Sequence, residues 1–207
     1  IDKEFNENLK LTINQYSKDN FVTHNKNTKK WFSHNIVYIN LMIQKFDLNL
    51  IKNEILEIGS YEGNSATFFL KNINKSKITC VDIWSDMYTS GNKYRSLKFS
   101  DIKKNFDYNL QTFNNRLNVH QTTSDEFFKI NKKKFDLIYV DASHTYDDVL
   151  SDGNNAIKTL NHNGLIIFDD LFKIDVFKAI EEIYNNNKNL EIEFIYHQAI
   201  FRYKEKY

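Results

Sequence analysis

Two titratable side chains follow an apolar stretch near the middle of the sequence. Asp141 and His144 lie in the segment YVDASH, directly after FDLI, which is typical of a buried strand. The residues that follow, TYDDVL, are typical of the start of a helix. An imidazole titrates near neutral pH, so a histidine beside a carboxylate at a strand end is a candidate general base. The alternative is an ordinary surface histidine.

Further carboxylates follow the next apolar run. Asp169 lies 28 residues after Asp141, and Asp170 is its neighbour. The interval holds one helix-like segment, so the two strand ends should meet at one edge of a parallel sheet, either adjacent or one strand apart. Clustered carboxylates repel one another unless a cation lies among them, and oxygen ligands suit Mg²⁺, Mn²⁺ or Ca²⁺. The alternative is that Asp169 is solvated and Asp170 caps the next helix.

A third candidate site is the loop in LEIGSYEGNSATFFL. The strand is predicted to end at Gly59 and the helix to begin near Gly63, which leaves free backbone N–H groups for an anionic group. Tyr61 and Glu62 crowd the turn where a dinucleotide pyrophosphate would need room. Glu57 would repel a phosphate but attract an ammonium. An ordinary strand-to-helix turn is the alternative.

Asp82 ends the next predicted strand, on the neighbouring loop. A carboxylate there can accept hydrogen bonds from both hydroxyls of a ribose, although a helix cap or a solvated strand end would also fit. Glu57, Gly59, Gly63 and Asp82 together indicate a ligand that carries a ribose and an amino acid. S-adenosylmethionine is such a ligand.

Seven short apolar runs must position these residues. The predicted strands are 54–59, 77–82, 117–121, 135–141, 164–169, 190–196 and 199–204. The predicted helices lie near 63–73, 99–114, 124–131, 147–160 and 173–187. This alternation predicts an α/β fold, a doubly wound, mostly parallel seven-stranded sheet with helices on both faces. The last two runs are two residues apart, so they predict a hairpin and an antiparallel last strand.

Length and composition set further limits. With 207 residues, the chain suits one domain, and we divide it into an N-terminal helical lid or appendage (1–50) and a main domain (51–207). A net charge of +1 gives no general attraction to nucleic acid or to anionic membranes. The single cysteine, Cys80, excludes an internal disulfide. Neither a signal-peptide pattern nor a membrane-spanning run is visible, so we expect a cytoplasmic protein.

Three segments resemble a known family. LEIGSYEGNSA, CVDIW and FDLIYVDASHTYDDVLSDGNNAIKTLNHNGLIIFDDL resemble class I S-adenosylmethionine-dependent methyltransferases. The resemblance is greatest to the branch of macrolide-sugar O-methyltransferases and cephalosporin-hydroxylase-like proteins (methyltransferase family 24-like), and it covers about residues 52–171. It implies a Rossmann-like fold, Mg²⁺ bound by Asp141, Asp169 and Asp170, and His144 as the base. Further cofactor contacts that it implies are Ser60, Ile83, Trp84, Ser124 and Asp141.

Three positions depart from the family pattern. Tyr61 replaces the middle glycine of the cofactor motif, and Thr123 stands where an aspartate often touches the adenine region. Asn163 replaces the first glycine of the pair that precedes the fifth strand, whereas Gly164 keeps the second.

The sequence therefore predicts an O-methyltransferase that uses S-adenosylmethionine and Mg²⁺ or Mn²⁺. The expected acceptor is a hydroxyl of a small polar molecule such as a sugar or nucleotide-sugar, bound between loop 83–101 and the aromatic N-terminal helices. A nucleic-acid methyltransferase is one alternative, but a chain without proline lacks the Pro-Pro loop typical of base amino-group methylation. A noncatalytic or dinucleotide-binding protein is the other. We expect no nucleic-acid or membrane partner, and a homo-oligomer is compatible with the sequence.

Overall fold

The seven apolar runs form one mixed sheet. The computed structural model describes residues 26, 31–85 and 99–204. The strands are β1 (Glu54–Ile58), β2 (Lys77–Asp82), β3 (Leu117–Gln121), β4 (Phe135–Val140), β5 (Leu160–Phe168), β6 (Leu190–Ile195) and β7 (Ala199–Tyr203). Their order in the sheet is β3-β2-β1-β4-β5-β7-β6. The first five strands are parallel, and β7 is antiparallel to both β5 and β6, which confirms the predicted fold class.

Helices connect the parallel strands. Within the described ranges the α-helices are α1 (Ile36–Lys45), α2 (Asn64–Asn72), α3 (Phe99–Leu110), α4 (Ser124–Ile130), α5 (Tyr146–Lys158) and α6 (Ile174–Asn186). The side chains of Thr123 and Thr145 cap α4 and α5 by accepting hydrogen bonds from backbone N–H groups in the first turn. Nowhere in the described residues is a helix both long and apolar enough to cross a membrane.

The helices cover both faces of the sheet because side chains alternate along each strand. In β4, Leu137 and Tyr139 pack in the same cluster as α1, α2 and α3. Ile138 and Val140 point to the opposite face, where they pack with α4, α5 and α6. The central strands of the sheet are therefore buried between two helical layers.

The N-terminal helix contributes to one of these layers. Phe32, Ile36 and Ile39 of this segment are buried in the same cluster as Ile55 of β1. The division of the chain near residue 50 stays a prediction. Residues 1–25, and most of the predicted acceptor loop (86–98), lie outside the described residues.

One strand begins earlier than predicted. β5 starts at Leu160, which pairs with Phe135, and the register then shifts before Leu137. At this irregularity Asn163 has a φ of 59°, and a Cβ on Gly164 would lie 2.9 Å from the carbonyl oxygen of Asn161. The polar residues of the bulge resemble a loop in the sequence, so the pattern predicts the strand only after them.

Candidate cofactor and catalytic site

The predicted functional residues lie at the carboxyl edge of the parallel strands. Residue Ile58 at the end of β1 is paired with Val81 of β2 and Val140 of β4. Val140 is paired in turn with Phe168 of β5. Asp141 and Asp169 therefore follow two adjacent strands, β4 and β5. Of the two arrangements that the sequence allowed, adjacent or one strand apart, the structure has the first.

The loop after β1 lies directly against the end of β4. Gly59 has a φ of +88°, and a Cβ on it would lie 2.2 Å from the carbonyl oxygen of Asp141. The N–H of Asp141 donates to the carbonyl of Ile58 at 2.8 Å. Gly63, the N-cap of α2, has a φ of 76°. Any side chain at position 59 would collide with the backbone of Asp141, so glycine is required for the loop after β1 to lie directly beside that residue.

Glu57 is fully buried beneath this loop. Its Oε1 accepts a hydrogen bond from the Ser65 hydroxyl, and the Cys80 thiol lies 3.5 Å from its Oε2. Burial raises the pKa of Glu57 to about 7, although hydrogen bonds from Ser60, Ser65 and Cys80 oppose that rise. Glu57 is therefore a buried acid that can change its charge near neutral pH.

Asp82 holds the loops after β1 and β2 together. Its Oδ2 accepts a hydrogen bond from the Tyr61 N–H at 2.8 Å, and its Oδ1 accepts one from the Trp84 N–H at 2.9 Å. Burial raises the pKa of Asp82, and these backbone hydrogen bonds oppose the rise. The Trp84 ring is itself buried and packs against Phe106, with its Nε1 donating to the Tyr61 carbonyl. Among the described contacts, Trp84 thus serves to pack the loop, and Ile83 beside it is partly exposed.

Ser124 begins α4, which follows β3 at the same edge. Its neighbour Asp152 on α5 is buried, and burial raises the pKa of Asp152 to about 6 against an opposing hydrogen bond from Ser124. Ser124 is therefore hydrogen-bonded to a buried carboxyl group, beside the edge strand β3.

Three side chains around the end of β4 could share a metal ion. Asp141, His144 and Asp170 each offer a ligand atom, and these atoms all lie within 4.8 Å of one another. The His144 Nε2 is 2.6 Å from the Asp170 Oδ2, and the Lys173 ammonium also bonds to that oxygen. Burial alone would raise the pKa of Asp170, but the hydrogen bonds from His144 and Lys173 lower it to about 2. Burial, followed by the charges of Asp169 and Asp170, raises the pKa of Asp141 well above its usual range.

Asp169 belongs to a buried hydrogen-bond network. Its Oδ2 accepts hydrogen bonds from the Asn35 amide and the Tyr139 hydroxyl, each at 2.5 Å, and its Oδ1 accepts one from the Asp170 N–H at 2.7 Å. The Gln198 amide lies 3.3 Å from the Tyr139 hydroxyl. The network joins the N-cap of α1, the end of β4 and the β6–β7 turn. Asp169 is not part of the three-residue group that could share a metal among the described residues.

Sequence reasoning did not identify four residues of this region, namely Asn35, Tyr139, Lys173 and Gln198. Lys173 follows Asp170 by three residues at the start of a helix, and this spacing could have indicated the ion pair. Tyr139 lies inside an apolar strand, and Asn35 is 134 residues from its partner Asp169. No local pattern in the sequence indicates either contact.

Comparisons with known proteins agree with this fold. A family profile described as a methyltransferase domain matches residues 56–171. No curated protein matches the sequence significantly. Solved structures with the same fold include an O-methyltransferase from Bacillus cereus in complex with S-adenosylhomocysteine, at 15% identity and a TM-score of 0.58, covering 96% of this chain and 91% of that one. The Podospora anserina methyltransferase PaMTH1, bound to S-adenosylhomocysteine, is 14% identical with a TM-score of 0.60, covering 99% and 89%.

A methyltransferase from Pyrococcus furiosus is similar to the same extent, with 15% identity, a TM-score of 0.61, and coverage of 97% of this chain and 98% of that one. Identities this low show the shared fold alone. The finer resemblance to macrolide-sugar O-methyltransferases stays a prediction. The family match covers more than half of the chain, so the protein belongs to the methyltransferase-domain family and is a class I S-adenosylmethionine-dependent methyltransferase.

Proposed function

We propose that the protein transfers a methyl group from S-adenosylmethionine to a hydroxyl oxygen of a small polar acceptor. The observation that carries the proposal is the pair formed by His144 and Asp170 beside Asp141, at the sheet edge that also carries the Gly59 loop. An imidazole held by a carboxylate is suited to remove a hydroxyl proton. The structural similarity to a protein described as an O-methyltransferase supports an oxygen acceptor.

The cofactor would lie over the loops after β1 and β2. Glu57 lies beneath the first loop as a buried acid, and because burial raises its pKa to about 7 it can ionise near neutral pH in response to the ammonium of the cofactor. Asp82 is oriented by backbone N–H groups, including those of Tyr61 and Trp84, and would accept hydrogen bonds from the ribose hydroxyls. S-adenosylmethionine, when bound, supplies a methyl group on a sulfonium centre. The other proposed contacts are Gly59, Ser60, Gly63, Ile83, Trp84, Ser124 and Asp141.

His144 would act on the acceptor side. It would accept the proton of the acceptor hydroxyl as that oxygen receives the methyl group, so the imidazole would gain the positive charge that bound S-adenosylmethionine gives up. Asp170 remains ionised because its pKa is lowered to about 2, and it therefore orients the imidazole and stabilises its charged form. Precise alignment of the attacking oxygen would add to the rate enhancement.

The carboxylates around His144 fit a divalent cation such as Mg²⁺ or Mn²⁺. Asp141 and Asp170 offer oxygen ligands, and the sequence adds Asp169 as the third, with His144 left as the base. A second arrangement is favoured by geometry: the His144 nitrogen lies near the Asp141 and Asp170 oxygens, whereas Asp169 is bonded to Tyr139 and Asn35. Mixed nitrogen and oxygen ligands suit Mn²⁺ better than Mg²⁺. The cation would polarise the acceptor hydroxyl and lower its pKa.

Methyl transfer can be tested with labelled S-adenosylmethionine and a panel of sugars and nucleotide-sugars. We expect label on an oxygen of at least one acceptor, loss of transfer in EDTA, and recovery with Mg²⁺ or Mn²⁺. Full activity in chelator would exclude the metal. Label that appears only on nucleic acid would exclude the small-molecule acceptor, and failure of calorimetry to detect S-adenosylhomocysteine binding would exclude the cofactor site.

The two roles of His144 can be separated by His144→Ala. As a base, His144 should contribute about 10²- to 10⁴-fold to turnover, with Mn²⁺ and S-adenosylhomocysteine affinities unchanged. As a metal ligand, its loss should instead weaken Mn²⁺ binding measured by electron paramagnetic resonance. His162→Ala, which removes an exposed histidine from β5, is the matched control. Wild-type turnover and Mn²⁺ affinity in His144→Ala would exclude both roles.

A further inference from the structure

Two aromatic rings lie together on the loop after β1. The ring of Trp31, in the segment before α1, lies 5.1 Å from the ring of Tyr61, with an angle of 34° between the two ring planes. We call Trp31 and Tyr61 the aromatic pair. Trp31 is 43% exposed, although a large apolar ring gains free energy from burial. The aromatic pair therefore presents ring surface at the loop that the cofactor would use.

The segment that carries Trp31 runs along the carboxyl edge of the sheet. Phe32 is buried, and its ring lies 6.1 Å from that of Tyr139 in β4. Three residues later, the Asn35 amide donates to Asp169, which follows β5. The segment thus passes from the loop after β1, past β4, to the end of β5. Its buried contacts with β4 and β5 hold Trp31 in place at the β1 end.

The backbone of Tyr61 sets the position of its ring. The Tyr61 N–H donates to the Asp82 Oδ2, and the Tyr61 carbonyl accepts a hydrogen bond from the Trp84 Nε1, each at 2.8 Å. Tyr61 has a φ of 46°, in the left-handed region that favours glycine. A tyrosine therefore occupies a conformation that glycine would adopt at lower cost. In return, the loop gains a ring against which Trp31 packs.

The strand order indicates which part of the cofactor would lie beside the aromatic pair. β1 lies between β2, which ends at Asp82, and β4, which precedes His144. In the proposed function Asp82 binds the ribose and His144 takes the proton of the acceptor. The sulfur of the cofactor is joined to the ribose by one methylene group, and its methyl group must face the acceptor oxygen. The sulfur would therefore lie over the end of β1, at the loop that carries the aromatic pair.

We propose that the aromatic pair binds the sulfonium centre of S-adenosylmethionine and so distinguishes this cofactor from its demethylated product. The inference rests on the cofactor position in the proposed function, to which it adds Trp31 as a specificity-determining residue. A sulfonium centre is positively charged but has no N–H or O–H group, so a carboxylate cannot bind it through a hydrogen bond. The face of an aromatic ring carries negative partial charge and attracts such a cation, and tryptophan attracts it most strongly.

Adenine is the other part of the cofactor that could stack on an aromatic ring. It is attached to the side of the ribose opposite the sulfur. The proposed cofactor contact Ser124 follows β3, and β2 separates β3 from β1 in the sheet. An adenine directed toward Ser124 would therefore lie away from the aromatic pair, which leaves the pair on the methionine side of the ribose.

Calorimetry with two ligands isolates the charge on sulfur. S-adenosylmethionine and S-adenosylhomocysteine share the adenosine and amino-acid groups, and they differ in the methyl group and the charge that it brings. The measured quantity is the ratio of their two dissociation constants in wild type, Trp31→Leu and Trp31→Phe. Because the Trp31 side chain is exposed, both variants should fold. Phe177→Leu, which removes a 45% exposed ring from α6, is the matched control.

We expect Trp31→Leu to weaken the binding of S-adenosylmethionine by about 2- to 30-fold, the range of a cation–π contact, and to leave that of S-adenosylhomocysteine unchanged. Trp31→Phe should lose less affinity because it keeps a ring. Sinefungin, which carries a cationic amino group in place of the S-methyl group, should lose affinity in Trp31→Leu together with S-adenosylmethionine. Phe177→Leu should leave all three affinities unchanged.

A packing role for Trp31 predicts a different result. Equal weakening of S-adenosylmethionine and S-adenosylhomocysteine in Trp31→Leu would assign the ring to support of the loop and would overturn the proposal. An unchanged affinity for both ligands would overturn it as well. Weaker binding of S-adenosylmethionine with undiminished binding of sinefungin would assign the contact to the methyl group rather than to the charge, and this too would overturn the proposal.

The same titrations, combined with the transfer assay, separate this proposal from the proposed function. An unchanged ratio in Trp31→Leu, in a protein that methylates a hydroxyl, overturns the role of the aromatic pair alone. A ratio that depends on Trp31, without methyl transfer to any hydroxyl, supports the aromatic pair and overturns the proposed acceptor. Failure of the wild-type protein to bind either ligand overturns both.

Discussion

The buried acid Glu57 should make stability depend on pH in a way that one substitution can isolate. Burial raises the pKa of Glu57 from 4.5 to about 7. A shift of this size corresponds to about 3 kcal/mol of differential stability. Between these two pH values the folded protein holds a proton at Glu57 that the unfolded chain has released. The free energy of unfolding should therefore fall as pH rises from about 4.5 to about 7, and the Glu57 contribution should then level off.

Glu57→Gln keeps the shape of the side chain and removes the titration. Urea unfolding of both proteins, from about pH 5 to about pH 8, gives the difference between their free energies of unfolding. We expect this difference to shift in favour of the variant by about 2–3 kcal/mol over that range. Subtraction removes the contributions of other titrating groups, such as Asp152. Glu181→Gln, at an exposed position on α6, is the control and should give a flat difference. A flat difference for Glu57→Gln would refute the account of a buried, neutral acid.

The same acid links pH to cofactor binding. The ammonium of the cofactor would favour the ionised form of Glu57, so binding of S-adenosylhomocysteine near pH 6 should release up to about one proton. Calorimetry in buffers with different ionisation enthalpies measures that release. The Glu57→Gln variant should lose it. Equal proton release in both proteins would assign it to another group and would place the ammonium away from Glu57.

Two further predictions concern the hydrogen bonds of the site. Asp82→Asn should weaken S-adenosylhomocysteine binding by about 10- to 100-fold, because a charge-assisted acceptor is lost, and unchanged affinity in calorimetry would exclude a ribose contact. Tyr139→Phe leaves the buried Asp169 without one donor, and should lower the free energy of unfolding by about 1–3 kcal/mol. Tyr146→Phe removes a hydroxyl that bonds to Glu182 outside the site, and its urea midpoint should change less. Equal losses in the two tyrosine variants would contradict the importance of the buried network.

The fold could be predicted because each element has a local signal. Apolar runs of strand length alternate with amphipathic segments, and a two-residue connection leaves only a hairpin for the last two strands. The start of β5 could not be predicted, since the bulge at Asn163 and Gly164 consists of polar residues whose pairing depends on β4. Local pattern is a poor guide where tertiary pairing overrides it.

The candidate site could be predicted only in part. Parallel strands end at one edge, so the positions of Asp82, Asp141 and Asp169 follow from the topology alone. The hydrogen-bond partners of each carboxylate do not follow from the topology. The pairing of Asp170 with Lys173 and His144, for example, depends on the direction in which each side chain leaves its loop. These directions decide which carboxylates remain available to a metal.

The contacts divide the edge of the sheet into two halves with different supports. The loops of β1 and β2, held together by Asp82, form the proposed cofactor half. The proposed acceptor half is supported by Asn35 of the N-terminal segment and by Gln198 of the β6–β7 turn, which meet at Tyr139 and Asp169. Because Asp169 is bonded to Asn35 and to Tyr139, which Gln198 contacts in turn, a change in the packing of these two segments would move Asp169. The hydrogen bonds to Asp82 come from the loops after β1 and β2 themselves, and Trp31 of the N-terminal segment packs against Tyr61 of the first loop with a ring distance of 5.1 Å. Changes in the β6–β7 turn would therefore alter the proposed acceptor half with little effect on the hydrogen bonds at Asp82, and such a separation would let one methyltransferase fold serve different acceptors.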